Sequence, residues 1–74
     1  MINLSVIRQE AGVTQAEMAA RLSITQGSVS QLERRNDMLL STLVDYLTAL
    51  GVEAAITVTV GDRAFEYNLT GDQH

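Results

Sequence analysis

The sequence predicts a mainly α-helical domain of four to five helices that ends in a β-hairpin. Three observations predict it. Apolar residues recur at helical spacing from Leu4 to Leu50, most clearly as Leu40, Leu43, Leu47 and Leu50. Two short amphipathic segments within that stretch flank a tight polar turn, Ser23-Ile24-Thr25. After Gly51 the period changes to two, and no proline interrupts any segment.

Taken in order, Leu4, Ile7 and Ala11 give the apolar stripe of a first short helix, which Asn3 can cap and Gly12 can stop before Val13 re-enters the core. Ala16, Ala19 and Leu22, with Met18 beside them, form one face of a second helix that starts at Gln15. Thr25 is placed to cap a third helix that turns Val29 and Leu32 inward. Asn36 and Asp37 make a polar break, and a fourth helix begins at Ser41 or slightly earlier and ends at Gly51. Residues 54–60 and 64–69 then alternate as strands around Gly61-Asp62, a two-residue loop with glycine first, which is the signal for a type II′ turn. That turn sets Val58 opposite Phe65, Ile56 opposite Tyr67, Ala54 opposite Leu69 and Thr57 opposite Glu66. The whole is expected to be a single domain over 1–74, with a helical bundle at 1–51 and the hairpin at 52–70.

Seventy-four residues lie near the lower limit for a self-sufficient core, so a second copy is an economical way to bury more surface. The hairpin makes the same demand, because two strands alone are marginal in water and this pair displays an apolar face and open edges. A homodimer is expected, with Ile56, Val58, Phe65 and Tyr67 at its interface. There is no cysteine, hence no disulfide framework and no thiolate chemistry. The longest apolar run is far too short to cross a bilayer and no signal segment leads the chain, so a cytoplasmic protein with no membrane role is expected.

Net charge is −4, and its distribution is uneven. Residues 1–36 set Arg8, Arg21, Arg34 and Arg35 against Glu10, Glu17 and Glu33, a net +1. Residues 37–74 set Arg63 alone against Asp37, Asp45, Glu53, Asp62, Glu66 and Asp72, a net −5. Lysine is absent. An anionic ligand would therefore meet the first half, and a basic protein partner the second. Catalysis is not expected: the single histidine, His74, is terminal and expected to be disordered without a partner, and the acids are scattered. No metal-ligand spacing and no glycine-rich phosphate loop occurs, so no metal or cofactor is expected.

The third helix turns Gln26, Gly27, Ser28, Ser30 and Gln31 outward. These side chains are short or amide-bearing, uncharged, and supply paired donors and acceptors of the kind that read base edges in a major groove. Here the sequence resembles a known family. Thr14, Gln15, Glu17, Ala19, Leu22, Thr25, Gln26, Val29, Ser30 and Glu33 match the pattern T-Q-x-E-x-A-x-x-L, turn, S/T-Q-x-x-V/I-S-x-x-E of the Cro and CI-type (XRE) helix-turn-helix proteins, over Ile7 to about Gly51. Two positions depart: Ser23 stands where a left-handed glycine is usual, and Arg35 where a glycine commonly follows the second motif helix. Residues 38–69, with Leu40-Ser41-Thr42-Leu43 and Leu47-Thr48-Ala49-Leu50-Gly51, also resemble the antitoxins of the HigA and HipB kind.

The resemblance implies a lambda-repressor-like fold and a sequence-specific repressor of double-stranded DNA, bound to a palindromic operator, autoregulatory and paired with a cognate toxin. It implies that Thr25, Gln26, Gly27, Ser28, Ser30 and Gln31 face the groove, that Gln15 bonds a phosphate, and that Arg8 and Glu33 form an ion pair between the first and third helices, with a phosphate contact by Arg8 as the alternative. Arg34 and Arg35 are read either as phosphate clamps or as solvated charge at a helix C-terminus, where the dipole favours them. Tyr46, Phe65 and Tyr67 are read as core or interface rather than as a stacking platform, since basic side chains do not accompany them. Met18 is read as core. The alternative function is a protein-interaction module that neutralises a basic toxin or effector through the acidic second half.

Overall fold

The computed structural model describes residues 2–71; the expectation for His74 falls outside them. Four helices precede two strands among the described residues: α1 (Leu4–Glu10), α2 (Gln15–Leu22), α3 (Gln26–Arg34), α4 (Leu40–Leu50), β1 (Ala55–Val60) and β2 (Arg63–Asn68). Short polar side chains set most of the helix starts. Asn3 Oδ1 accepts from the Val6 N–H, Thr14 and Glu17 form a reciprocal capping box, and Thr25 Oγ1 accepts from the Ser28 N–H. Only α4 starts without a side-chain cap, on Leu39.

The core is Leu4, Val13, Met18, Ala19, Val29, Tyr46, Leu47 and Leu50, with Ile7, Leu22, Leu43 and Val52 packed against it. Three apolar positions predicted to face inward do not. Ala11 is exposed because the chain leaves α1 there, at its C-cap, and Arg8 takes the second buried place on that helix. Ala16 is exposed because α2, packed on both α3 and α4, turns Met18, Ala19 and Leu22 inward. Leu40 is exposed in the first turn of α4, beyond the reach of the core.

Ser23 ends α2 in the left-handed region at φ +59°, and the Ile24 N–H returns to the Ala19 carbonyl at 3.0 Å. Arg35 needs no such conformation. It leaves α3 with extended backbone, φ −72° and ψ 142°, so a glycine is not required there.

The two strands pair antiparallel in the predicted register, with Ile56 on Tyr67, Thr57 on Glu66 and Val58 on Phe65, and Val60 on Arg63 adds a pair beside the turn. Gly61 has φ +61° and Asp62 does not share a positive φ, which is the type II′ combination. At the hairpin's base the Leu69 N–H meets the Ala54 carbonyl at 2.8 Å, extending the predicted pairing beyond the strands. Thr70, buried, closes that base: its hydroxyl donates to the Val52 carbonyl at 2.8 Å and accepts from the Ala54 N–H at 2.9 Å. Every residue of both strands is exposed. The radius of gyration is 13.5 Å against about 11 Å for a compact chain of this length, as a projecting hairpin requires.

A left-handed serine is strained where a glycine would not be. Ser23→Gly is expected to raise unfolding free energy by about 0.5–1 kcal/mol, the relief of backbone strain less the entropy returned to the unfolded chain. Urea titration would check it, through a higher midpoint at unchanged slope.

Candidate nucleic-acid interface

The helix-turn-helix unit is α2, the turn at 23–25 and α3. Val29 is fully buried beneath α3, which fixes the rotation of that helix and therefore which residues it presents. Gln26, Gly27, Gln31 and Arg34 are exposed, and Gly27, Gln31 and Arg34 fall at i, i+4 and i+7 on one face. Ser28 and Ser30 are half-buried. Thr25 is occupied as the cap and also donates its hydroxyl proton to Ser28 Oγ at 2.9 Å, so the Ser28 hydroxyl keeps its own proton to give.

Glycine at position 27 has no internal cause. A methyl group there would meet nothing closer than Thr25 Oγ1 at 3.9 Å, an ordinary contact. Helices favour alanine over glycine, by up to about 1 kcal/mol in their interiors and less in the first turn where Gly27 lies, so the chain forgoes some stability at this exposed site in exchange for a bare backbone.

Beneath α3 the Glu33 carboxylate gathers donors from three other helices. Oε2 accepts from Arg8 Nε at 2.7 Å and from the Tyr46 hydroxyl at 2.6 Å. Oε1 accepts from Arg8 Nη2 at 3.3 Å and from Gln15 Nε2 at 3.1 Å. Arg8 spends a further N–H on the Val13 carbonyl at 2.9 Å. The side chains of Arg8 and Glu33 are 8 % and 4 % exposed, so this is a buried ion pair, formed between the two residues that the family pattern indicates. Arg8 gives Nε, Nη1 and Nη2 donors to Glu33 and Val13 within the chain, which is the ion-pair arrangement.

Burial alone would raise the Glu33 pKa, but hydrogen bonds from Arg8, Tyr46 and Gln15, together with the Arg8 charge, hold it below the usual 4.5. The bond to Glu33 raises Arg8 in turn. Burial, then the bond to the Glu33 carboxylate and its charge, pushes the Tyr46 phenol well up, so it remains a donor.

The sequence pattern missed three roles. Tyr46 falls on the inner stripe of α4, and a buried phenol needs a partner, but the partner's identity is not a local property. Gln15, expected at a phosphate, also ties its amide to Glu33. Arg21, counted among the cations of the first half, donates to the Ala49 carbonyl at 3.0 Å and the Leu50 carbonyl at 3.4 Å, closing the C-terminus of α4. Arg34 and Arg35 are exposed, and neither side chain makes a hydrogen bond or ion pair among the described residues.

Comparison with known proteins agrees with this geometry. Residues 4–56 match the helix-turn-helix family model. The chain therefore belongs to the helix-turn-helix family, in the Cro/CI-type branch that its motif resembles. A Mycobacterium tuberculosis (strain ATCC 25618 / H37Rv) protein, provisionally named antitoxin HigA2, is 38% identical over 64 residues, which cover 84% of this chain and 63% of that protein. The chain thus spans less than two thirds of that relative's length. Two solved structures superpose along nearly the whole chain, each at 32% identity. One is described as DNA-bound antitoxin HigA3, with a TM-score of 0.78 over 100% of this chain and 96% of that one. The other is described as induced DNA bending by unique dimerization of HigA antitoxin, with a TM-score of 0.76 over 97% of both chains.

Removing one partner of the buried pair should leave an uncompensated charge. Arg8→Met or Glu33→Leu alone is expected to cost about 3 kcal/mol, while the double variant should recover much of that loss. Thermal melts of the set give the coupling. Because the folded-state pKa of Glu33 lies below its unfolded value, the pair's contribution should be whole above about pH 4.5 and drain away as pH falls below it, a loss absent from the double variant.

Proposed function

We propose that this chain is a DNA-binding repressor of the antitoxin kind, which works as a homodimer on a palindromic operator. The observation that carries this is the outward face of α3. It holds Gln26, Gly27, Gln31 and Arg34 exposed, on a helix fixed from beneath by Val29 and the Glu33 network. The similar structures, one described as DNA-bound and one as bending DNA, support the same use of the motif.

Each part of the face has a role in a duplex complex. Gln26 and Gln31 carry amides that pair bidentately with adenine, and Gly27 lets the α3 backbone approach the groove wall. Ser28 and Ser30 offer hydroxyls at the margin, Gln15 meets a phosphate at the start of α2, and Thr25 serves by holding the first turn of α3. Arg34 and Arg35 clamp phosphates. With Arg8 and Arg21 committed internally, few cations remain, so affinity rests more on amides and shape than on counterion release. The protein acts by occupancy rather than catalysis, in the cytoplasm, on the promoter of its own operon.

The second copy is called for by the hairpin. Ile56, Val58, Phe65 and Tyr67 lie on one face and are all exposed, Phe65 at 38 % and Tyr67 at 59 %. Pairing these faces across a two-fold axis covers them and relates the two α3 helices by the same axis. The opposite face, with Thr57, Glu66 and Asn68, belongs to the acidic half and is left for a basic protein, which supports a cognate toxin as the further partner.

Measurements of readout and of assembly test this. Binding-site selection should yield half-sites about 10 base pairs apart, centre to centre. Gln26→Ala and Gln31→Ala should each relax one base pair per half-site by about 1–3 kcal/mol, and Arg34→Ala should weaken all sequences alike. Gly27→Ala is the sharper variant, because it should raise the melting temperature of the free protein and yet lower its affinity for the duplex. Assembly is read by sedimentation: the wild type should be a dimer at micromolar concentration, and Val58→Glu with Phe65→Glu should make it a monomer that keeps its helical signal.

A further inference from the structure

We propose that Glu33 is a positioning residue for DNA binding: its carboxylate holds the Gln15 side-chain amide ready for a phosphate, and Arg8 cancels the charge that would otherwise repel that phosphate. This rests on the duplex-binding reading, in which Gln15 meets the backbone at the start of α2. The contact is direct, from Gln15 Nε2 to Glu33 Oε1 at 3.1 Å, between residues 18 apart in sequence.

A glutamine amide has two N–H donors and one carbonyl oxygen. Glu33 uses one donor, which fixes the orientation of the amide plane and removes the ambiguity between its nitrogen and oxygen ends. The other donor is left for a ligand, on a residue that is half-buried rather than enclosed. Glutamine is among the side chains that lose most rotamer freedom when immobilised, and here much of that loss is borne during folding instead of binding.

A carboxylate beside an incoming phosphate would ordinarily oppose it. Arg8 meets both Glu33 oxygens, at 2.7 and 3.3 Å, so the pair is neutral as seen from the surface while its oxygens still accept. Tyr46 donates to the remaining site at 2.6 Å and keeps the carboxylate from rotating away from Gln15. Gln15 fills the last lone pair of the buried carboxylate and is itself half-buried rather than enclosed. Its inclusion connects the buried network to the surface beside α3.

The test uses the full chain and the duplex that wild type enriches by selection, prepared with a single neutral methylphosphonate at each backbone position in turn. Neutralising the phosphate that Gln15 meets should weaken wild-type binding on the order of tenfold, as expected for a hydrogen bond to a charged group. Gln15→Ala should abolish that one response and so give its address. Two double variants then differ in whether residue 33 can accept hydrogen bonds, from Gln15 and from Tyr46. Arg8→Met with Glu33→Leu should lose the response at that address while keeping those elsewhere, and Arg8→Met with Glu33→Gln, whose carbonyl still accepts, should retain it.

If both double variants keep the response, or both lose all responses together, Glu33 is a scaffold residue only. Wild type needs no variant for a second measurement. Nuclear magnetic resonance should show one Gln15 Nε2 proton slow to exchange with water in the free protein and the second slowed only when duplex is added; two equally fast protons would overturn the proposal. Failure of wild type to enrich any duplex would instead overturn the duplex-binding reading, and the positioning role with it.

Discussion

The arrangement of this domain depends on one carboxylate. Glu33 lies near the end of α3, and the groups that bond it come from α1 (Arg8), α2 (Gln15) and α4 (Tyr46), so a single side chain cross-links all four helices. Burying a charged pair costs several kcal/mol in lost hydration, and the attraction offsets this only when geometry is good and the remaining lone pairs are filled. Both conditions are met here, and no buried side-chain polar atom lacks a partner among the described residues. Such a network adds little net stability over an apolar substitute. What it does supply is a unique placement, because each donor is satisfied in one arrangement of the helices and orphaned in others.

That placement divides the arginines by task. Arg8 is consumed by Glu33 and Arg21 by the carbonyls that end α4, so the apparent positive charge of the first half is largely structural. Arg34, the last residue of α3, and Arg35, its C-cap, remain at the surface. In the proposed duplex complex, a domain with no lysine and an acidic second half reads the groove through amides and a bare backbone at Gly27, and it gains less from the general attraction between cations and phosphates. The strain held by Ser23 and the helix propensity forgone at Gly27 lie at either side of the same turn.

The helical body and the hairpin stand in different relations to their surroundings. The body buries its own apolar stripes. The hairpin does not: local rules alone form it, from alternating β-branched and aromatic residues, a type II′ turn and a Thr70 latch at its base, and it leaves both faces in water. Strand pairing satisfies backbone groups but covers no face of a two-stranded sheet, so a structure that is complete in its hydrogen bonds still displays Val58, Phe65 and Tyr67 to solvent.

The sequence by itself determined what rests on near neighbours. Asn3, Thr14 and Thr25 cap because an oxygen two or three residues before a free N–H can reach it, Gly61-Asp62 sets the hairpin register, and Val29 orients the α3 face that carries Gln26 and Gln31. The Arg8–Glu33 pair was legible only through family resemblance. Tertiary structure alone decided that Ala11, Ala16 and Leu40 stay exposed, since a periodic stripe is wider than the surface that eventually covers it. It alone decided that Gln15 and Tyr46 share the Glu33 carboxylate and that Arg21 closes α4. Those contacts join residues 13 to 29 positions apart, and at such separations the chain's local spacing carries no information about which donor meets which acceptor until the helices have packed.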